Sequence, residues 1–317
     1  MRESMNWWIL YEKEDYLKNK EYVNLYFREC EKYGISLSLV LKEELGLVIK
    51  NPEAEFYIGG KKSKKPTLVI NRSRDYILAK HLEMAGVEVW NDSFVTLIGN
   101  DKALAYSYAV QNGIPVLDSY YGNVKSEKYP YVLKSLNGHG GGEVFLIQTP
   151  DEKRKIEYSQ EKQEIESSKD KESKEEKIQW QESNDFHQMD FFRKNNFLCQ
   201  EFASEPGKDV RVYVIGNRIV KAMLRTNEND FKSNYSLGGK VAEYELNPEE
   251  EALVNKVIGG LNIGLAGIDF VFHQGMLYFN EIEDVVGARM LYANTDIDIV
   301  AEYVSYLVKN SVKIVKI

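Results

Sequence analysis
The chain has 317 residues and 43% apolar content, enough to bury a large core and to divide into two or three domains. Its formal charge of −8 repels phosphate overall and excludes a general nucleic-acid binder, yet leaves room for a phosphate site built from a few local lysines. No apolar run is long enough to span a bilayer, the N-terminal stretch lacks a signal peptide, and Cys30 and Cys199 alone make no disulfide framework; a cytoplasmic protein fits.

The first hundred residues alternate between strand and helix patterns. Residues 6–12 read as a strand, 19–33 as a helix ending at Gly34, 36–41 and 66–71 as strands. Residues 73–86 read as a helix stopped by Gly86, and 87–91 as a strand. This alternation predicts a small α/β domain with a mainly parallel sheet. A further helix follows in "GNDKALAYSYAVQNGIPV", with Asn100 or Asp101 as N-cap and Gly113 as the stop. Residues 61–65, "KKSKK", read as an exposed loop.

Residues 151–188 are dense in both charge signs and poor in apolar side chains, which predicts a solvated helix or a mobile excursion. Past residue 197 the pattern turns antiparallel. Residues 197–202 and 209–225 read as strands, the latter folding back at Gly216-Asn217. Asn247, Pro248 and Glu250 spell the start of a helix, as N-cap, first helical residue and capping-box partner. Residues 265–284 read as a hairpin turning near Gly275, and a last helix spans about 296–308.

Two features carry chemistry. In "YVLKSLNGHGGGEVFLI" four glycines lie between two strands, so neither a Walker loop nor a Rossmann fingerprint applies. Such a tip either folds its backbone N–H groups over a phosphate chain, with Lys134 supplying charge, or is simply a flexible hairpin. In the last hairpin, Asp269 sits in an apolar strand, and Glu281 and Glu283 share one face of the returning strand. Hard oxygen donors at this density suit Mg²⁺ bridging phosphates. Strand parity tests this. A plain two-residue turn at Gln274-Gly275 would pair Asp269 with Asn280. An odd turn or a bulge would set Asp269 opposite Glu281, Ile268 on Ile282 and Phe272 on Tyr278. Arg211, Lys221 and Arg225 recur on the neighbouring strands, and arginine suits forked contacts with carboxylate or phosphate.

With these stretches in this order, over roughly residues 70–290, the chain resembles the ATP-grasp superfamily, in the branch of ribosomal-protein glutamate ligases. The resemblance implies an α/β (α+β) ATP-grasp fold. Its parts would be a Rossmann-like N-terminal domain (1–98), a central lid (99–196) and a C-terminal antiparallel domain (197–317), with ATP between the last two. Lys102 and Lys134 would contact the ATP phosphates, and Gly138, His139, Gly140, Gly141 and Gly142 would close over them. Gln200, Glu201 and Phe202 would line the adenine, and Glu205 would reach the ribose. Asp269, Glu281 and Glu283 would hold two Mg²⁺ ions, with Mn²⁺ as an alternative. Arg211, Arg225 and Asn234 would face the transferred phosphoryl group or the substrate.

The resemblance implies phosphorylation of a carboxylate to an acyl phosphate, then attack by an amine or thiol. The substrates would be a small-molecule or peptide acid and its nucleophile, with no nucleic acid or membrane involved and a homo-oligomer left open. Arg72 and Arg74 are candidates for a substrate carboxylate or, equally, surface residues at a helix start. The chain departs from the family pattern where Glu281-Ile282-Glu283 replaces E-x-N, where "DVVGARM" replaces a Ser-Pro-Gly turn, with Arg289 a substitute anchor, and in the length of the charged excursion. A kinase, a non-catalytic nucleotide-binding module and a peptide macrocyclase gripping its substrate through the excursion are the competing readings.

Overall fold
The computed structural model describes residues 5–122, 128–138, 140–152, 197–233 and 239–311. His139, Asn234 and nearly all of the charged excursion lie outside the described residues. The chain forms two compact units, one of Met1–Pro115 with Glu205–Ile317, the other Val116–Ser204.

The first unit begins with a four-stranded parallel sheet in the order Ser36–Leu41, Asn6–Tyr11, Leu68–Arg72, Glu88–Trp90. The two central strands are buried on both faces, which is why "WWILY" and "LVIN" read as continuous apolar runs. Helices Lys20–Lys32 and Tyr76–Met84 cover the sheet, the second capped by the Asp75 side chain on the Leu78 N–H. A five-stranded antiparallel sheet follows in the order Lys240–Tyr244, Arg218–Thr226, Lys208–Ile215, Leu265–His273, Met276–Glu283. Trp7 and Ile9 of the parallel sheet share one core with Tyr213, Ile215 and Met223 of the antiparallel one and with Tyr303 of helix Ile299–Asn310. The capping box at Asn247 forms as the sequence predicts, with Pro248 opening helix Pro248–Ile258.

Several elements differ from expectation. "KKSKK" is not all loop: Lys61–Ser63 is an edge strand pairing with Glu55–Ile58, which pairs with Leu45–Val48. Its backbone supplies the pairing, so lysine side chains hide it from a hydropathy reading. Helices Ser93–Gly99 and Arg289–Asn294 are too short to show a period. The last helix begins at Ile299, where Asp298 caps it.

The second unit is a four-stranded antiparallel sheet in the order Val144–Ile147, Tyr131–Ser135, Phe197–Glu201, Ser119–Tyr121. The boundary expected between 196 and 197 falls inside this sheet, where Leu198 stands opposite Lys134. Helix Lys102–Gln111 lies in the first unit, with Tyr106 edge-on to Phe279.

Candidate functional site
In the second unit Lys134 is buried on the central strand Tyr131–Ser135, opposite Val144. Its Nζ donates to Gln200 Oε1 at 2.6 Å, and Gln200 Nε2 donates to Ser119 Oγ at 3.0 Å. Lys134 and Gln200 are thus brought together, while Glu201 turns to solvent. The loop above depends on its glycines. Gly140 and Gly141 hold φ of +67° and +78°, a region side chains rarely adopt. A Cβ on Gly138 would stand 2.7 Å from Glu143 Oε2 and 3.1 Å from Ser135 Cβ.

In the first unit the acid hairpin turns on two residues, Gln274 and Gly275, both at positive φ. Parity would then leave Glu281 on the wrong face, but a bulge at Asn280 restores the match. Phe270 pairs with Phe279, and Asp269 with Glu281. Ile268 faces Ile282 as expected. Phe272 faces Leu277 rather than Tyr278, because the extra residue lies in the strand and not in the turn. Glu205 lies at the hairpin tip, where its carboxylate accepts the Gly275 N–H at 2.8 Å.

Cross-strand register also places Arg211 opposite Asp269, and Asp209 opposite Arg225. The result is a ladder of charges across the sheet. Arg225 Nε and Nη2 donate to the two Asp209 oxygens at 2.7 and 2.6 Å, and Nη2 also reaches Asp269 Oδ2 at 2.6 Å. Arg211 donates to both Asp269 oxygens at 2.7 and 2.6 Å and pairs with Glu283. Gly267 leaves room for this crossing, since a Cβ there would meet Arg211 Cδ at 3.3 Å and Val286 Cγ2 at 2.9 Å. Asp269 is 1% exposed. Burial alone would push its carboxyl up, but the two guanidiniums outweigh burial and hold it at about 2. Both arginines are held firmly protonated by these carboxylates despite their burial. Glu281 stands 3.9 Å from Lys102 Nζ, at the start of helix Lys102–Gln111.

The donor set bears on a metal. Glu281 and Glu283 are oxygen donors about one-third exposed, which fits a hard cation. Asp269 fits less well, because three of its roughly four acceptor positions are filled by arginine N–H groups. Among the described residues no three His, Cys, Asp or Glu side chains group closely enough to hold an ion alone. Glu281 and Glu283 together with substrate phosphates would suit Mg²⁺, which commonly takes one or two carboxylates plus phosphate oxygens.

Sequence reading missed Asp209, although its spacing of two from Arg211 already put both on one face. It also missed the residues that grip the turn after Glu283. Asn91 Nδ2 donates to the carbonyls of Leu265 and Asp284, and its Oδ1 accepts the N–H groups of Gly264 and Leu265. Asn100 Nδ2 donates to Asp284 Oδ1 at 3.0 Å, and Tyr213 Oη to the Gly287 carbonyl at 3.0 Å. These contacts span up to 193 residues of sequence, so no local signal announces them.

Residues 118–307 match the RimK-like ATP-grasp domain model. A "Probable alpha-L-glutamate ligase" of Haemophilus influenzae is 27% identical over 244 residues, covering 73% of this chain and 70% of that one. An uncharacterized protein of Mycoplasma genitalium is 25% identical over 284 residues, covering 88% and 83%. Among solved structures, VanG D-Ala:D-Ser ligase from Enterococcus faecalis has TM-score 0.67 at 14% identity, covering 98% of this chain and all of that one. ATP-grasp ligase PsnB, complexed with minimal precursor, Mg and ADP, has TM-score 0.61 at 15% identity, covering 96% and 98%.

Proposed function
The chain belongs to the RimK-like ATP-grasp family, and from that membership we propose an ATP-dependent carboxylate–amine ligase working through an acyl phosphate. The observation that carries the reading is the bulge-set register of the acid hairpin, which gathers Asp269, Glu281 and Glu283 on one face beside Arg211 and Lys102. A carboxylate is a poor electrophile because oxide is its leaving group; transfer of a phosphoryl group to it makes phosphate the leaving group instead.

In this reading Lys134 and the backbone of residues 138–142 bind the ATP phosphates, and Gln200 orients the Lys134 ammonium. Glu281 and Glu283 would hold Mg²⁺, which when bound polarises phosphate oxygens and neutralises their charge. Lys102 steadies Glu281. Asp269 fixes the Arg211 and Arg225 guanidiniums, which stabilise negative charge developing on the transferred group. Catalysis is then positioning and charge neutralisation, with no side-chain nucleophile. Glu283, where the family carries Asn, adds a negative charge, and Arg211 offsets it. That compensation favours an active enzyme over a non-catalytic module. A second Mg²⁺ ion, or Mn²⁺ in its place, belongs to the same proposal.

The test is ADP release by the purified protein across pairs of carboxylates and amines, L-glutamate included, with a new amide mass as the product signal. Lys134→Met is expected to abolish release and to cost about 1–3 kcal/mol of stability for the unpaired Gln200 oxygen. Undiminished ADP release by this variant contradicts the assignment. A peptide that loses the mass of one water for each bond formed, with no amine added, identifies the macrocyclase alternative.

A further inference from the structure
The last cross-strand pair of the acid hairpin is Glu283 with Gly267, and strand Met276–Glu283 ends there. A ladder that stopped at a candidate metal ligand would leave that ligand on a fraying end. Strand Leu265–His273 runs on past Gly267 to Leu265, and one side chain takes the place of its missing partner. Asn91 Oδ1 accepts the N–H groups of Gly264 and Leu265 at 2.6 and 3.2 Å. Asn91 Nδ2 donates to the carbonyls of Leu265 and Asp284 at 3.0 and 2.9 Å. Asn91 thus takes both backbone groups of Leu265, as an opposing strand residue would, and ties them to the residue after Glu283. It is 2% exposed, and both its donors and both its acceptor positions are used.

The chain on either side of Asn91 supports this clamp. Asn91 follows strand Glu88–Trp90 and precedes helix Ser93–Gly99, which Asp92 caps at the Phe94 and Val95 N–H groups. The helix is anchored from behind. Thr96 Oγ1 accepts from Asn71 Nδ2 at 3.1 Å, and Ser93 donates its N–H and hydroxyl to Glu83 at 2.6 and 2.8 Å. Its far end lies directly against the hairpin: a Cβ on Gly99 would stand 3.0 Å from Asp284 Cβ and 3.2 Å from the Ile282 carbonyl oxygen. Asn100 then holds the Asp284 carboxylate, and Lys102 stands 3.9 Å from Glu281. Arg72 holds the same turn further on, donating to the Val286 carbonyl at 2.9 Å and to the Tyr11 hydroxyl at 3.2 Å, while Arg74 pairs with Asp15.

We propose that Asn91 is a positioning residue for the metal-bearing strand, closing the open end of the hairpin so that Glu283 and Glu281 keep their facing. The assignment rests on the ligase reading, in which those two carboxylates hold Mg²⁺. Residues that touch no metal but fix its ligands set affinity because the ligands are then ordered before the ion arrives. Asparagine suits the place: it offers two donors and two acceptors without charge, where a carboxylate would face two carbonyl oxygens.

Asn91→Ser shortens the clamp and tests this. Mn²⁺ binding to the protein–ADP complex is read by electron paramagnetic resonance, and metal-free ADP binding by calorimetry. The variant is expected to weaken Mn²⁺ about 10- to 100-fold while metal-free ADP affinity stays within about twofold of wild type. In the metal-free proteins, the Gly264 and Leu265 amides should exchange slowly in wild type and about tenfold faster or more in Asn91→Ser. Should Asn91→Ser not fold, Gly99→Ala takes its place in the binding assays with the same expected result, since it leaves Asn91 intact and crowds Ile282 and Asp284 instead. Unchanged Mn²⁺ affinity overturns the assignment. So does a parallel loss of Mn²⁺ and ADP binding, the behaviour of a merely structural residue, or rapid exchange of the two amides in wild type. The failures separate. A wild type that binds ADP equally well with and without Mn²⁺ removes the metal reading and this assignment with it; a metal effect that survives the substitution removes the role of Asn91 alone.

Discussion

Arg225→Met severs the charge ladder at its centre. The guanidinium is 3% exposed and is the only ion-pair partner of Asp209 among the described residues, while Asp269 keeps the fork from Arg211. Removing one side of a buried ion pair strands its partner and costs about 3–5 kcal/mol. For a unit of this size each kcal/mol moves the melting point by about 2–4 °C, so a fall on the order of 10 °C is expected. The loss should be partly recoverable. In an Asp209→Asn, Arg225→Met double variant no charge is stranded, and stability should exceed that of the single variant by about 1–3 kcal/mol. ADP release should stay absent in both, which separates the structural role of the pair from the chemical one. The pH dependence has a definite sign. Even beside Arg225, burial holds the Asp209 carboxyl above its ordinary 3.8, and losing the guanidinium raises it further, so protonation relieves the stranded charge as pH falls from neutral. The gap between wild type and Arg225→Met should narrow over that acid range. Denaturant melts followed by circular dichroism measure all of this. A single variant within about 1 kcal/mol of wild type, or a double variant no better than the single, refutes the ladder as a buried, coupled unit.

Glu281→Gln keeps the shape of a partly exposed side chain 3.9 Å from Lys102, so the fold should persist while Mg²⁺-dependent ADP release is lost; undiminished, substrate-dependent release would exclude Glu281 as a metal ligand. Burial raises the Asp284 carboxyl from 3.8 to about 7 against the Asn100 hydrogen bond, so the contribution of Asp284 to stability should fall as pH rises from about 4 to 7. Asp284→Asn removes that slope and should gain up to about 4 kcal/mol at pH 8 but little at pH 4; a pH-independent difference in melting temperature would contradict this. Burial pushes the Cys30 thiol up to about 12, with Glu29 adding to it, while Cys199 is partly exposed. A thiol reagent followed by mass should therefore label Cys199 in the native protein and Cys30 only on unfolding; prompt native labelling of Cys30 would count against its burial.

Much of the architecture is present in the order of residues. Alternating apolar runs and polar helices give the parallel sheet, because a strand buried on both faces must be apolar throughout, as in "WWILY". Asp75, Asp101 and Asn247 mark helix starts because their short side chains satisfy N–H groups two or three residues on. The placement of Lys134 on a strand beneath a glycine tip is local in the same sense. Other features depend on residues far apart in the chain. The bulge at Asn280 leaves no composition signal, yet it decides whether Glu281 faces Asp269. Arg211 and Arg225 are legible as basic residues on strands, but only strand pairing shows that carboxylates already hold both. Likewise "RSR" in the sequence offers Arg72 and Arg74 as equals, and the fold separates them. Periodicity and capping act within a few residues and so are written locally. The partner of a buried charge is set by which strands meet across the sheet, and that is known only once the chain has packed.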